Sequence, residues 1–259
     1  MRSARKGCLS SGIYNLDIQL PGKSLDAQFA SLWERFSKLP RTVDSLNTFD
    51  VRLRRWLTPI SVACIVPIDD DQVCAYLENA QNALAPYMRY APQPTARLHI
   101  TLFMVGYLRG GLPFPNTWTR DELNRMTSNA VQMFRKLPNF TVRVGPINTF
   151  PNVAIAEVRD DGQLRLLERA AASVIPETRR MSPRFSLLPH ITLGYWGERP
   201  VPEVVEAIRP MREWPSLPLQ INRASLTLYY RELGTYRKRH VLERSVEQII
   251  GTLPLSRRK

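Results

Sequence analysis

Two of the three histidines in this 259-residue chain begin the same tetrapeptide. His99 opens one His-Ile-Thr-Leu segment, and His190 opens the other, 91 residues later. An imidazole titrates near neutral pH, so a neutral histidine can take a proton while a protonated one gives a proton away. A threonine hydroxyl can hydrogen-bond an oxygen on which negative charge develops. Two such His-Thr pairs are suited to breaking a phosphodiester without a metal.

Strand geometry brings each of these histidines beside its own threonine. Successive side chains of a β-strand point to opposite faces, so His99 and Thr101 share one face, as do His190 and Thr192. If the two segments belong to halves related by a pseudo-twofold axis, both pairs face a common cleft. One copy alone is typical of an ordinary half-buried strand. Two copies in matching contexts indicate a catalytic pair.

The surrounding chain alternates strand and helix patterns from about residue 59, which predicts an α+β fold. Helices are predicted at residues 69–85, 120–137, 162–174 and 202–211. Strands are predicted at residues 60–67, 97–105, 140–147, 153–158, 190–195, 217–229 and 235–242. Similar neighbours flank the two histidine segments, which indicates a duplicated half-domain.

Residues 1–56 precede this pattern and are interpreted as a basic N-terminal extension of a domain that covers residues 57–259. Ser24 is suited to cap a helix. Apolar side chains then recur at helical spacing, at Leu25, Phe29, Leu32, Trp33 and Phe36. Such a stripe is typical of a helix that packs on the main domain.

The net charge of +13 is concentrated at the two ends of the chain. Residues 1–56 hold 10 Lys/Arg against 5 Asp/Glu, and residues 223–259 hold 9 against 3. Basic ends around a nearly neutral middle could steer an anionic ligand such as RNA or a nucleotide. A solvated surface that keeps the protein soluble explains the same charge, and composition does not separate the two.

Composition also suggests where the protein works. No run of about 18 uncharged apolar residues occurs, and no apolar stretch follows the basic start, so we expect a cytoplasmic protein without a membrane segment. Cys8, Cys64 and Cys74 are odd in number and form no Cys-x-x-Cys, which favours a reducing compartment over a zinc site or a disulfide framework.

The paired His-x-Thr-x motifs, their separation and the proline before the second histidine resemble the 2H phosphoesterase superfamily, also called the LigT-like or 2′-5′ RNA ligase-like fold. The resemblance covers roughly residues 57–245. It implies a two-lobed duplicated fold, with antiparallel sheets around a central cleft and helices on the flanks. It also implies that His99 and His190 are the acid–base pair and that Thr101 and Thr192 bind phosphate. The motif leaves open which histidine is the acid.

Further residues near the motifs are candidate substrate contacts. Tyr195 and Tyr229 could stack on a base, although aromatic strand residues are more often core. Arg97 and Arg184 could contact phosphate, although a solubilising role is as good an explanation. His240 is interpreted as a surface residue rather than a further phosphate contact.

The leading functional hypothesis is a monomeric, metal-independent and cofactor-free phosphodiesterase that acts on RNA ends or nucleotides. A 2′,3′-cyclic phosphate is the first choice of substrate, followed by a 2′-5′ or cyclic oligonucleotide. The alternatives are a non-catalytic RNA-binding protein of the same fold and a partner-binding protein led by residues 1–56. Kinase, dehydrogenase, metalloprotease and serine hydrolase motifs are absent.

Overall fold

A computed structural model describes residues 24–43, 60–89, 92, 94–108, 116–176, 188–232 and 244–256. Several predictions fall outside these residues: those for Cys8, Arg184 and His240, and the predicted strand at 235–242.

Five α-helices are described, and three of them have a side-chain N-cap. They are α1 (Leu25–Ser37), α2 (Asp71–Leu84), α3 (Arg120–Phe134), α4 (Gln163–Ser173) and α5 (Val201–Ile208). Ser24 caps α1 by accepting from the Ala27 amide, as predicted, and Thr119 and Glu122 form a capping box at α3. None of the described helices has the length and apolar character needed to cross a membrane.

The last of these helices ends earlier than the sequence pattern predicts. The helix predicted at residues 202–211 stops at Ile208, and a 3-10 turn, Arg209–Arg212, follows it. Pro210 has no amide hydrogen for the next helical bond, so the tighter turn replaces the α-helix there.

The described strands form one sheet. They are β1 (Ile60–Pro67), β2 (His99–Leu108), β3 (Thr117–Trp118), β4 (Phe140–Phe150), β5 (Val153–Arg159), β6 (His190–Tyr195), β7 (Leu217–Ile221), β8 (Arg223–Glu232) and β9 (Arg244–Pro254). The order is β7-β4-β5-β6-β2-β1-β8-β9, and β3 pairs with β2.

The prediction of one strand at residues 217–229 is wrong. The strand is interrupted at Asn222. β7 pairs with β4 and β8 pairs with β1, and these two pairs lie at opposite ends of the sheet. Alternation alone could not show this, since both strands have similar residue patterns and only one residue separates them.

The sheet has two halves that meet between β2 and β6. These two strands are joined through one antiparallel pair, Ile100 and Ile191. Each half contains a strand–helix–strand unit that ends in a histidine strand, β1–α2–β2 in one and β5–α4–β6 in the other. The predicted α+β, two-lobed fold is therefore confirmed, with its halves fused into one sheet.

The main core lies on one face of this sheet. Ile100, Leu102, Ile191 and Leu193 are buried there with the apolar sides of α2, α3, α4 and α5. Burial of these side chains is the principal favourable term for folding. The opposite face carries the histidines and threonines.

Candidate active site

The two motifs present their polar residues on the face away from the main core. Along each motif the histidine and threonine are half-buried, whereas the isoleucine and leucine are buried. The alternation predicted from the sequence is therefore what the strands show. It places His99, Thr101, His190 and Thr192 on one surface.

The crossed register between β2 and β6 places the histidine of each motif opposite the threonine of the other motif. Because Ile100 pairs with Ile191 in an antiparallel ladder, His99 stands across from Thr192 and Thr101 stands across from His190. Ile100 and Ile191 are the one bridged pair described between these strands, and the two flanking positions follow from its register. Each histidine therefore has one threonine on its own strand and the other motif's threonine across the seam.

The backbone orients both imidazoles in the same way. Nδ1 of His99 is 2.9 Å from the Arg97 carbonyl oxygen, and Nδ1 of His190 is 2.7 Å from the Leu188 carbonyl oxygen. A carbonyl oxygen only accepts, so Nδ1–H is the donor in each ring. In the neutral form of either ring, Nε2 is then the basic nitrogen.

The two histidines have different aromatic neighbours. The rings of His99 and Tyr229 are 5.4 Å apart, and the Tyr229 hydroxyl is 3.3 Å from Nε2 of His99. Phe150 meets His190 edge to face at 5.1 Å. One imidazole thus has a polar neighbour and the other an apolar one.

The pKa values of both histidines are lowered from the ordinary value. Burial is the main cause in each ring, and the carbonyl that accepts from Nδ1 partly opposes it. The positive charge of His99 lowers the pKa of His190 further.

Tyr195 reaches the same face only through a β-bulge. Ile155 pairs with Thr192 and Ala154 pairs with Gly194, so the register shifts by one residue between them. Tyr195 then pairs with Val153, and its side chain is 36% exposed. Simple alternation from His190 would have turned Tyr195 to the opposite face.

The remaining predicted residue that can be placed is Arg97. Its carbonyl fixes the ring of His99, which the sequence does not reveal. Its side chain is half-buried. Phe150, which the sequence did not single out, belongs to the site through its contact with His190. No local signal marks Phe150, since β4 brings it there from 40 residues upstream.

Among the residues that the structure describes, no three His, Cys, Asp or Glu side chains are grouped as a metal site would require. The described cysteines, Cys64 and Cys74, are both free thiols, and burial raises the pKa of Cys64 to about 12. Cys64 lies in the main core, on the face away from the histidines.

Solved structures share this fold. The TT0787 protein of Thermus thermophilus has 20% identity and a TM-score of 0.52, with 75% of this chain and 97% of that protein covered. E. coli LigT in its apo form has 12% identity and a TM-score of 0.52, covering 76% and 98%. LigT complexed with 3′-AMP has 15% identity and a TM-score of 0.50, covering 76% and 99%.

Sequence comparison identifies the family directly. None of the curated proteins matches the chain. A model of the 2′-5′ RNA ligase superfamily, however, matches residues 69–233, which is more than half of the sequence and contains both histidine motifs. The chain therefore belongs to the 2′-5′ RNA ligase superfamily of LigT-like phosphoesterases.

Proposed function

We propose that this protein is a cytoplasmic, monomeric phosphodiesterase that hydrolyses a 2′,3′-cyclic phosphate on a nucleotide or an RNA end without a metal. The observation that carries the proposal is the crossed register, which sets two imidazoles and two hydroxyls together at one seam of the sheet. Acid–base catalysis of phosphodiester hydrolysis requires such a pair, one member neutral and one protonated.

His190 is the general base in this mechanism. We assign it the neutral state, because the charge of His99 lowers its pKa in addition to the burial that both rings share. Its Nε2 takes a proton from water as the water oxygen bonds to phosphorus. Protonated His99 gives its Nε2 proton to the ribose oxygen as the phosphorus–oxygen bond to that oxygen breaks.

The threonines bind the phosphate in this proposal. Thr101 and Thr192 are half-buried beside the histidines, so their hydroxyls can donate to the two non-bridging oxygens. Negative charge on these oxygens grows in the transition state, so donors aimed at them accelerate the reaction.

A nucleotide substrate agrees with the family. LigT of E. coli has been crystallised with 3′-AMP, which is one hydrolysis product of an adenosine 2′,3′-cyclic phosphate. Tyr229 lies beside the proposed acid His99, on the side of the leaving ribose oxygen, and offers a ring on which a base can stack.

The test is hydrolysis of a substrate panel in EDTA: a 2′,3′-cyclic nucleotide, RNA with a cyclic phosphate end, 2′-5′ oligoadenylate and a cyclic dinucleotide. We expect turnover of the cyclic phosphates, and a loss of about 10²- to 10⁴-fold or more in His99→Ala and in His190→Ala. Thr141→Val is the matched control, because Thr141 is exposed and bonds Gln220 at the far edge of the sheet.

Two results would count against the proposal. Activity that appears only with a divalent metal would contradict the metal-independent mechanism with two histidines. RNA binding without turnover, unchanged in the histidine variants, would instead support a non-catalytic RNA-binding protein.

A further inference from the structure

The helix α1 lies on the same face of the sheet as the histidines. Its Phe29 and Leu32 are buried against Val153 and Ile155 of β5. These two β5 residues alternate with Ala154 and Ala156, which belong to the main core on the other face. Ile155 is also the direct cross-strand partner of Thr192. The first turns of α1 therefore cover β5 on the cleft face, while Phe36 near the end of the helix joins the main core.

The apolar cluster under α1 extends to His190. Phe150 packs against this cluster and meets the His190 ring at 5.1 Å. Leu188, whose carbonyl holds Nδ1 of His190, belongs to the same cluster. One layer of side chains thus separates α1 from the imidazole.

A buried carboxylate lies next to this apolar cluster. Glu157 is the cross-strand partner of His190 and is fully buried. It forms ion pairs with Arg159 and Arg212, and it accepts a 2.6 Å hydrogen bond from Asn148. A buried charge is tolerated only when it is paired and hydrogen-bonded, as it is here.

All three partners of this carboxylate also contact α1. Asn148 donates to the Phe29 carbonyl at 3.1 Å. Arg159 bonds Asp26 and lies over the Phe29 ring at 5.4 Å. Arg212 lies over the Trp33 ring at 5.3 Å. The cluster therefore fixes α1 on the sheet by polar contacts in addition to apolar burial.

The surroundings of the two histidines, on either side of the seam between β2 and β6, therefore differ. Beside His190 stand Phe150 and the covered cluster, all backed by α1. Beside His99 stands the half-buried Tyr229 on β8, with a hydroxyl turned to the imidazole. A second nucleoside on the His190 side would meet Phe150 and the apolar cluster that α1 covers.

We infer that α1 restricts the His190 side of the site to a small group such as water, so that the substrate carries a nucleoside on only one side of the reacting phosphorus. This inference rests on the proposed function and narrows it. A 2′,3′-cyclic phosphate meets the condition, since both ester oxygens belong to one ribose. A 2′-5′ linkage between two nucleosides does not meet it.

The experiment compares adenosine 2′,3′-cyclic phosphate with the dinucleotide A2′p5′A, using the full chain. The wild-type protein should hydrolyse only the cyclic phosphate efficiently. Phe29→Ala/Leu32→Ala loosens α1 and should shift the ratio of the two kcat/KM values toward the dinucleotide by about 10-fold or more. Glu34→Ala/Lys38→Ala is the matched control, because this ion pair of α1 is exposed and the ratio should stay unchanged.

A second variant and a binding measurement cover the case in which the double variant fails to fold. Asp26→Ala removes only the exposed carboxylate that holds Arg159, and it should shift the ratio in the same direction by less. Calorimetric titration with 3′-AMP and with A2′p5′A tests exclusion without turnover. Wild type should bind 3′-AMP and reject A2′p5′A.

These measurements separate the inference from the proposed function. Efficient wild-type cleavage or tight wild-type binding of A2′p5′A would overturn the role of α1, even if the cyclic phosphate is hydrolysed. Absence of turnover, together with A2′p5′A binding gained in the α1 variants, would overturn the proposed function and support the role of α1.

Discussion

The hydroxyl of Tyr229 lies 3.3 Å from Nε2 of His99, although the two residues are far apart in strand register. Tyr229 pairs with Ser61, which in turn pairs with Tyr107 near the end of β2, whereas His99 begins that strand. The contact requires the sheet to curl around its cleft face. The curl turns a residue two strands away into a direct neighbour of the proposed acid.

Replacing Tyr229 by phenylalanine tests this contact. The variant keeps the ring but removes the hydrogen bond to His99, so we expect kcat to fall about 10-fold. Because Tyr229 contacts the proposed acid, the alkaline limb of the pH–rate profile should move while the acid limb stays. Tyr195→Phe is the matched control and should keep both the rate and the profile. A Tyr229→Phe variant with wild-type kinetics would show that the contact is structural.

We expect kcat to depend on the hydroxyl groups of Thr101 and Thr192 rather than on the size of their side chains. Thr101→Val and Thr192→Val keep the shape of the side chain but remove the donor, and we expect each to lower kcat by about 10²-fold. Steady-state kinetics on the cyclic nucleotide measures this, and circular dichroism checks the fold. Equal rates in the valine variants and the wild type would leave the threonines as strand residues only.

The pH dependence of kcat/KM follows from the histidines. Activity is lost as pH falls through the pKa of His190, because the base becomes protonated. It is lost as pH rises through the pKa of His99, because the acid loses its proton. Both pKa values lie below the ordinary 6.5, so the bell-shaped optimum should fall on the acid side of pH 6.5. An optimum above neutral pH would contradict this assignment.

The buried carboxylate should be important for stability rather than chemistry. Glu157→Gln leaves Arg212 without its counter-charge and Arg159 with only the exposed Asp26, so the free energy of unfolding should fall by roughly 3 kcal/mol or more. Glu34→Gln breaks an exposed pair with Lys38 and should cost less than about 1 kcal/mol. Urea unfolding measures both. Similar midpoints for the two variants would show that the cluster contributes little.

Sequence patterns predicted much of this fold because interactions between residues close in sequence determine where helices begin and which way strand side chains point. The helix start at Ser24 and the alternation through His99 and His190 depend on neighbours within a few residues, and both are confirmed. The family could be recognised because the same His-Ile-Thr-Leu motif occurs twice in the sequence.

The features that the sequence did not reveal depend on pairing across long distances. The break at Asn222 arises because two strands join opposite ends of the sheet. The orientation of Tyr195 depends on a one-residue register shift against β5, and Phe150 reaches His190 from another strand. No local pattern marks Glu157 as buried, and only the fold places it between two arginines.

The crossed register also determines what one half of the molecule could do alone. Each imidazole has the hydroxyl of the other motif across from it, so a half-length polypeptide would carry one histidine and one threonine without their counterparts. Such a polypeptide could complete the arrangement only by binding a second copy about the same twofold axis, and its activity would then depend on concentration. Joining both halves in one chain makes that assembly intramolecular. It also frees each half to diverge, which is how one histidine can have tyrosine as its neighbour and the other phenylalanine.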